Sequence, residues 1–515
     1  MGVPGDSRVW YVGSAGGGIF KTEDGGATWD PIFDGQPAAS IGALAVAPSD
    51  PNIVWAGTGE AFVRSNVSIG NGVYKSTDAG DTWAHAGLEN AGRIAWIVID
   101  PHSPDIVFAA VVGHGYGPQA DRGVFRTRDG GRTWERVLFV DEDTGCSDIA
   151  MDPGNPQILF AGMWPLVIRT WGRESGGPGG GLYMSRDGGT TWKRLTGRGL
   201  PDPPIGKVGV AIAPSNPQRL YALFETADSG LWRSDDGGQT WRLINQDHVL
   251  MQRPAYYTRA VIAPDDENEV YSLNVQIAIS LDGGEHFRTS FGGDNHDMWI
   301  DPRNPSSMAV GNDGGVLISV NRGRTWLRPG LPIAQMYHVA TDNQIPYNVY
   351  GNMQDGSGYR GPSNTRSRGQ IPVGAWRQAG GCETGFTLPD PVDPDIIWGN
   401  CFNGVVDRFD ARTGHARTVS PWPESFAGWA PKDVKYRFNW TTPMAISPHD
   451  HNTVYVGTQY LHRTSDGGET WLIISPDLTT NDPSKQGVSG GLTPDNIGVE
   501  YASTIFANRL SISLR

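Results

Sequence analysis

The chain has 515 residues, with 41 Lys and Arg against 55 Asp and Glu and a net charge of −14, so no basic surface marks it as a nucleic-acid binder. Its 19 Trp, 16 Tyr and 16 Phe supply ample apolar area for a core, which excludes a disordered chain. No run of about eighteen apolar residues is present to span a membrane, and Met1-Gly-Val-Pro-Gly has neither the basic nor the apolar stretch of a secretory leader. Three cysteines are too few for a disulfide framework or a Cys-rich zinc site, which leaves a Cys382–Cys401 bridge as a possibility.

One element recurs along the chain: Ser/Thr-x-Asp-x-Gly-x-Thr-Trp. It stands at Thr22–Trp29, Ser76–Trp83, Thr127–Trp134, Ser185–Trp192 and Ser234–Trp241, is worn at Ser280–Phe287 and Ser319–Trp326, and returns at Thr464–Trp471. The chemistry of the box is local. The Asp side chain accepts backbone N–H bonds across a tight turn, a Gly takes the left-handed position, and the Trp leaves on the next strand to pack between sheets. These aspartates therefore read as turn fasteners rather than catalysts.

Ahead of most boxes lies an apolar run, a Pro-x-x-Pro turn and a second apolar run, as in Ile41–Gly57 and Val208–Ala222, which predicts a hairpin. With the strand before the box and the strand carrying the Trp, four strands occupy roughly 40 to 60 residues, the size of a propeller blade. The spacing predicts an all-β propeller of ten blade units in a single domain over 1–515. The units fall at about 1–34, 41–88, 94–139, 146–197, 207–246, 256–290, 293–330, 336–378, 383–420 and 439–475. The first unit opens on what reads as a second strand, so the segment 501–514 is expected to supply the innermost strand and close the ring. The alternative is a seven-bladed ring followed by part of a second one.

The boxes resemble the Asp-box of sialidase-like (BNR) repeats. Over nearly its whole length the chain is similar to bacterial Asp-box proteins related to the sortilin-type ten-bladed domain, a group joined by analogy to sialidases and xyloglucanases. The stretches that carry this are Tyr11–Gly18, Gly311–Gly315, Gln335–Val339, Tyr347–Asp355 and Phe438–His449. The resemblance implies a secreted or periplasmic parent protein, and both ends read as cut, since Asn508–Arg515 no longer follows the repeat.

Propeller sites form where innermost strands begin and where the loop between the second and third strands dips to the axis. Those positions hold Glu60, Arg64, Arg93, Trp164, Arg169, Arg173, Lys207, Tyr256, Tyr257 and Arg259 in the earlier units. Later units place Asp294-Asn-His296-Asp297, His338, Gln354, Asp355, Arg360, Glu383 and Asn403 there. Three functions are weighed. A glycan hydrolase needs two carboxylates, for which Glu60, Asp297, Asp355 and Glu383 are candidates. Arg64, Arg93, Trp164, Arg169, Tyr257, Arg259, Gln354 and Asn403 would then contact substrate. No motif gathers the arginines as a sialidase requires, so no sialidase roles are carried over. A metal-assisted hydrolase of activated esters or phosphotriesters would use His296, Asp297, His338 and Glu383 around Zn, Mn or Ca. A non-catalytic ring would capture an extended peptide. Gly487-Val-Ser489-Gly-Gly491 imitates a nucleophile elbow but lacks the strand-to-helix setting.

Overall fold

In the computed structural model, which describes residues 1–63, 68–496 and 502–507, the strands form ten sheets. Helix among the described residues is confined to five single-turn 3-10 segments. The chain divides into two compact units, one formed mainly by Met1–Arg169 and Arg173–Pro332, the other mainly by Ile333–Ser489.

The first unit holds seven sheets. Each box does what its residues dictate. Asp24 Oδ1 accepts from the N–H of Ala27 and Thr28, both at 2.9 Å, and Oδ2 from Thr28 Oγ1 at 2.7 Å. Thr22 Oγ1 takes the N–H of Gly26, where the chain runs at φ +98°. The box aromatics Trp29, Trp83, Trp134, Trp192, Trp241, Phe287 and Trp326 then enter the apolar layers that separate sheet from sheet.

Closure differs from the ten-bladed expectation. The innermost strand of the first sheet is Gly2–Val3, paired with Asp6–Gly13, so no C-terminal segment is needed there. That first sheet packs on the seventh. Trp10 meets Trp299 edge-on at 5.4 Å, the Gly5 N–H donates to both Asp301 oxygens, and Trp10, Ala309, Val316 and Ile318 share one core. Within this unit the first and seventh sheets thus pack against each other. Of the expected closing strand 501–514, only 502–507 is described, and there Ile505 N–H bonds Thr458 O.

The second unit holds three sheets: Met336–Thr341 to Arg377–Cys382, Thr387–Pro389 to His415–Thr418, and Met444–Ile446 to Leu472–Ile473. Buried amides stitch the first two together. Asn352 Nδ2 reaches the carbonyls of Cys382, Thr384 and Asn400, and Thr387 Oγ1 donates to Asn352 Oδ1. Cys382 and Cys401 form the disulfide, with Cα atoms 4.9 Å apart.

Candidate active site

In the seventh sheet of the first unit the chain enters its innermost strand, Asn295–Ile300, through Gly293 at φ +130° and Asp294 at φ +56°. A left-handed backbone at a non-glycine residue is held only where its surroundings fix it. Here the fixing bonds are visible. Gly293 and Asp294 N–H both reach Val275 O, and Asp313 N–H reaches the carbonyls of Gly293 and Asp294 at 3.1 and 3.2 Å. Asp313 opens the two-residue turn between Met308–Asn312 and Gly315–Ser319, so strand entry and turn are bound together.

Two carboxylates thus come side by side in unlike settings. Asp313 Oδ1 is 2.6 Å from His296 Nε2 and its Oδ2 accepts from Tyr256 OH at 3.1 Å. Asp294 is pushed above the ordinary carboxyl range, first by burial and then by the charge of Asp313. The Tyr257 ring stacks on His296 at 5.5 Å, and its hydroxyl, turned to Asp294, makes no hydrogen bond of full geometry. Phe62 also packs on His296, with ring centroids 4.4 Å apart, and Arg253 lies over the Tyr256 ring at 4.6 Å. A pair of acids driven apart by their surroundings is the arrangement that acid–base chemistry uses.

The remaining candidates fall into three groups. Several at the rim of the first unit are structural. Arg93 is buried and donates to the carbonyls of Gly113 and His114, with Glu60 contributing favourable charge nearby. Trp164 is wholly buried, its Nε1 bonded to Ser175 Oγ at 2.8 Å, and offers no face to a sugar. Tyr257 is likewise buried. Arg169 pairs with Glu174 at 2.8 Å on the surface, and Arg64 lies outside the described residues. Arg259 stacks on Trp96 at 3.8 Å and holds Asp297 at 3.2 Å, so Asp297 is an ion-paired carboxylate rather than half of an acid pair. Ala61, Val63, Ala95, Val112, Trp164, Leu166, Ile168 and Ala255 form one cluster drawn from several sheets.

Lys207 and its neighbours form a buried charged group beside that cluster. Its Nζ lies over the rings of Phe62 and Trp164, at 5.3 and 5.1 Å, and burial lowers its pKa to about 7. Burial raises Asp148 and Glu225, while the Lys207 N–H donates to Glu225.

In the second unit Gln354 Nε2 donates to Asp355 Oδ1 at 3.0 Å and to Glu383 Oε2 at 3.1 Å, and its Oε1 accepts from Tyr337 OH, which in turn accepts from Trp440 Nε1. The structure therefore joins three expected residues, Gln354, Asp355 and Glu383, through one shared amide donor. Asn403, at φ +61°, uses Oδ1 to accept the Phe426 N–H, and His338 stacks on Phe386 at 3.8 Å. The metal set is not assembled: His296 is bonded to Asp313 and Asp297 to Arg259, and no group of three or more His, Cys, Asp or Glu suited to a metal occurs among the described residues. Ser489 is a structural residue, its N–H bonded to Asn496 Oδ1.

Asp294 as an acid, with Asp313 and Asn312, is not among the residues that the sequence points to. The signal is the polar pair Asn312-Asp313, where a strand ends and a turn opens, with Asn312 directly opposite Asn295 at the polar strand entry.

Residues 232–243 match the BNR/Asp-box repeat. The chain is 26% identical over 210 residues to a xyloglucanase of Paenibacillus sp., covering 35% of this chain and 19% of that one. It is 26% identical over 275 residues to the oligoxyloglucan-reducing end-specific xyloglucanase of Emericella nidulans, covering 46% and 32%. The chain thus spans less than a third of either relative. Among solved structures, the Niastella koreensis GH74 enzyme superposes with a TM-score of 0.39 at 17% identity, covering 90% of this chain and 76% of that one. The chain carries Asp-box repeats in a series of mostly four-stranded sheets and is similar in sequence to xyloglucanases.

Proposed function

We propose that the protein is a glycan hydrolase whose acid is Asp294 and whose ionised partner is Asp313. The observation that carries this reading is the unlike environment of the pair: one carboxyl raised by burial, the other accepting from Tyr256 OH and lying 2.6 Å from His296 Nε2. Asp294 would give its proton to the glycosidic oxygen as the C–O bond breaks, and Asp313 would stabilise the positive charge on the sugar ring and take a proton from the attacking water. His296 and Tyr256 orient Asp313, and Phe62 and Tyr257 wall His296 from solvent. The similarity to xyloglucanases supports a β-glucan backbone as substrate.

Release of reducing sugar from xyloglucan tests this. Asp294→Asn and Asp313→Asn are each expected to slow turnover by about 10²-fold or more, with folding retained by circular dichroism. Wild-type rates in both variants would overturn the assignment.

A further inference from the structure

A carboxyl group works as a catalytic acid only if it both keeps its proton at rest and gives it up in the reaction. Burial and the charge of Asp313 hold the proton on Asp294, and a group so placed parts with it reluctantly unless a positive charge stands near. Arg253 brings that charge. It lies in the connection between Arg242–Asn245 and Arg259–Ala263, half-buried, and engages two tyrosines through backbone and side chain together. Its carbonyl accepts the N–H groups of Tyr256 and Tyr257, both at 2.9 Å. Its guanidinium carbon stands 4.6 Å from the Tyr256 ring centre and 5.9 Å from that of Tyr257, and the two rings meet at 4.9 Å, so one cation spans both.

Each tyrosine faces one carboxyl. Tyr256 OH donates to Asp313 Oδ2 at 3.1 Å, and the Tyr257 hydroxyl is turned to Asp294. The groups that face Asp294 are Asp313, Tyr257, His296 and Arg253. A guanidinium keeps its charge at every working pH, so while Asp294 is protonated Arg253 offsets Asp313, and once the proton leaves it faces the new anion as well. We propose that Arg253 is a positioning residue of this site, a fixed cation that holds Tyr256 and Tyr257 against the carboxyl pair and eases the departure of the Asp294 proton. This rests on reading Asp294 as the acid, and its test does not require turnover.

The test is carbon-13 detected titration of the Asp294 carboxyl in the full chain, as wild type, Arg253→Met, Arg253→Gln and Arg253→Lys. The Met and Gln variants, which remove the charge, are each expected to raise the proton affinity of Asp294 about tenfold, and the Lys variant to stay close to wild type. Hydrolysis of xyloglucan is expected to follow, with a lower kcat, a similar KM and an alkaline limb moved to higher pH in Met and Gln but not in Lys. An Asp294 titration unmoved by Met and Gln, or moved as far by Lys, would overturn the inference and leave Arg253 as a packing residue that shows only in Tm. If the titration moves as expected while Asp294→Asn hydrolyses xyloglucan at the wild-type rate, the hydrolytic reading fails and the electrostatic role of Arg253 stands.

Discussion

At the scale of single residues, chemistry at this rim is decided by what stands beside each charge. Asp294 and Asp297 are three positions apart, yet one is buried against a like charge and the other is paired with a guanidinium. In an active hydrolase the alkaline limb of the pH–rate profile follows loss of the Asp294 proton. Asp313→Asn, by removing the adjacent charge, is expected to move the pKa of Asp294 down even as it lowers the rate. Lys207 supplies a stability test. Its folded pKa of about 7 lies below the unfolded value of about 10.4, so between these pH values the unfolded chain binds the extra proton and stability rises with pH. Lys207 is faced by Asp148, Glu225, Arg259 and Arg173. Lys207→Met, which keeps these neighbours, is expected to remove that rise, read as the difference in chemical-denaturation midpoints at pH 7 and pH 9.5.

At the scale of the element, the box is a small electrostatic device. Asp78 is held down to about 2 by the hydroxyl and N–H of Thr82 and the hydroxyl of Ser76, all of which bond its carboxylate. A depressed carboxyl gives stability that is complete above its unfolded pKa near 4 and is lost as pH falls through about 2. Asn321 occupies the same place in the seventh sheet, where its Oδ1 accepts the Thr325 N–H and its Nδ2 donates to Thr325 Oγ1, a box that does not titrate. Asp78→Asn is therefore expected to fold, with a modest loss of Tm at neutral pH and weaker acid dependence between pH 4 and 2. Such boxes are legible in sequence because the bonds made by the side chains of their Asp and leading Ser or Thr span four residues or fewer. Asp313 and Asn312 were not legible, since a turn residue looks alike whether its side chain meets solvent or a strand entry seventeen residues earlier. Trp164 and Arg93 failed in the opposite way: loop position places a residue at the rim but says nothing about which neighbouring sheets cover it.

At the scale of the whole molecule, ring closure is the least legible feature, because it depends on which distant sheets meet rather than on any repeat. Ten sheets could be counted from the sequence; that Trp10 packs on Trp299 could not. Trp299→Ala is expected to cost about 3 kcal/mol and to raise amide exchange selectively in Asp6–Gly13. Uniform exchange across the first unit would show that the first sheet is not held through this contact.

The central claim is the split between two neighbouring carboxyls, and carbon-13 detected titration of Asp294 measures it directly. The expected result is a carboxyl titrating above the ordinary range in the wild type and returning towards it in Asp313→Asn. An Asp294 that titrates near 4 in both proteins would contradict the claim.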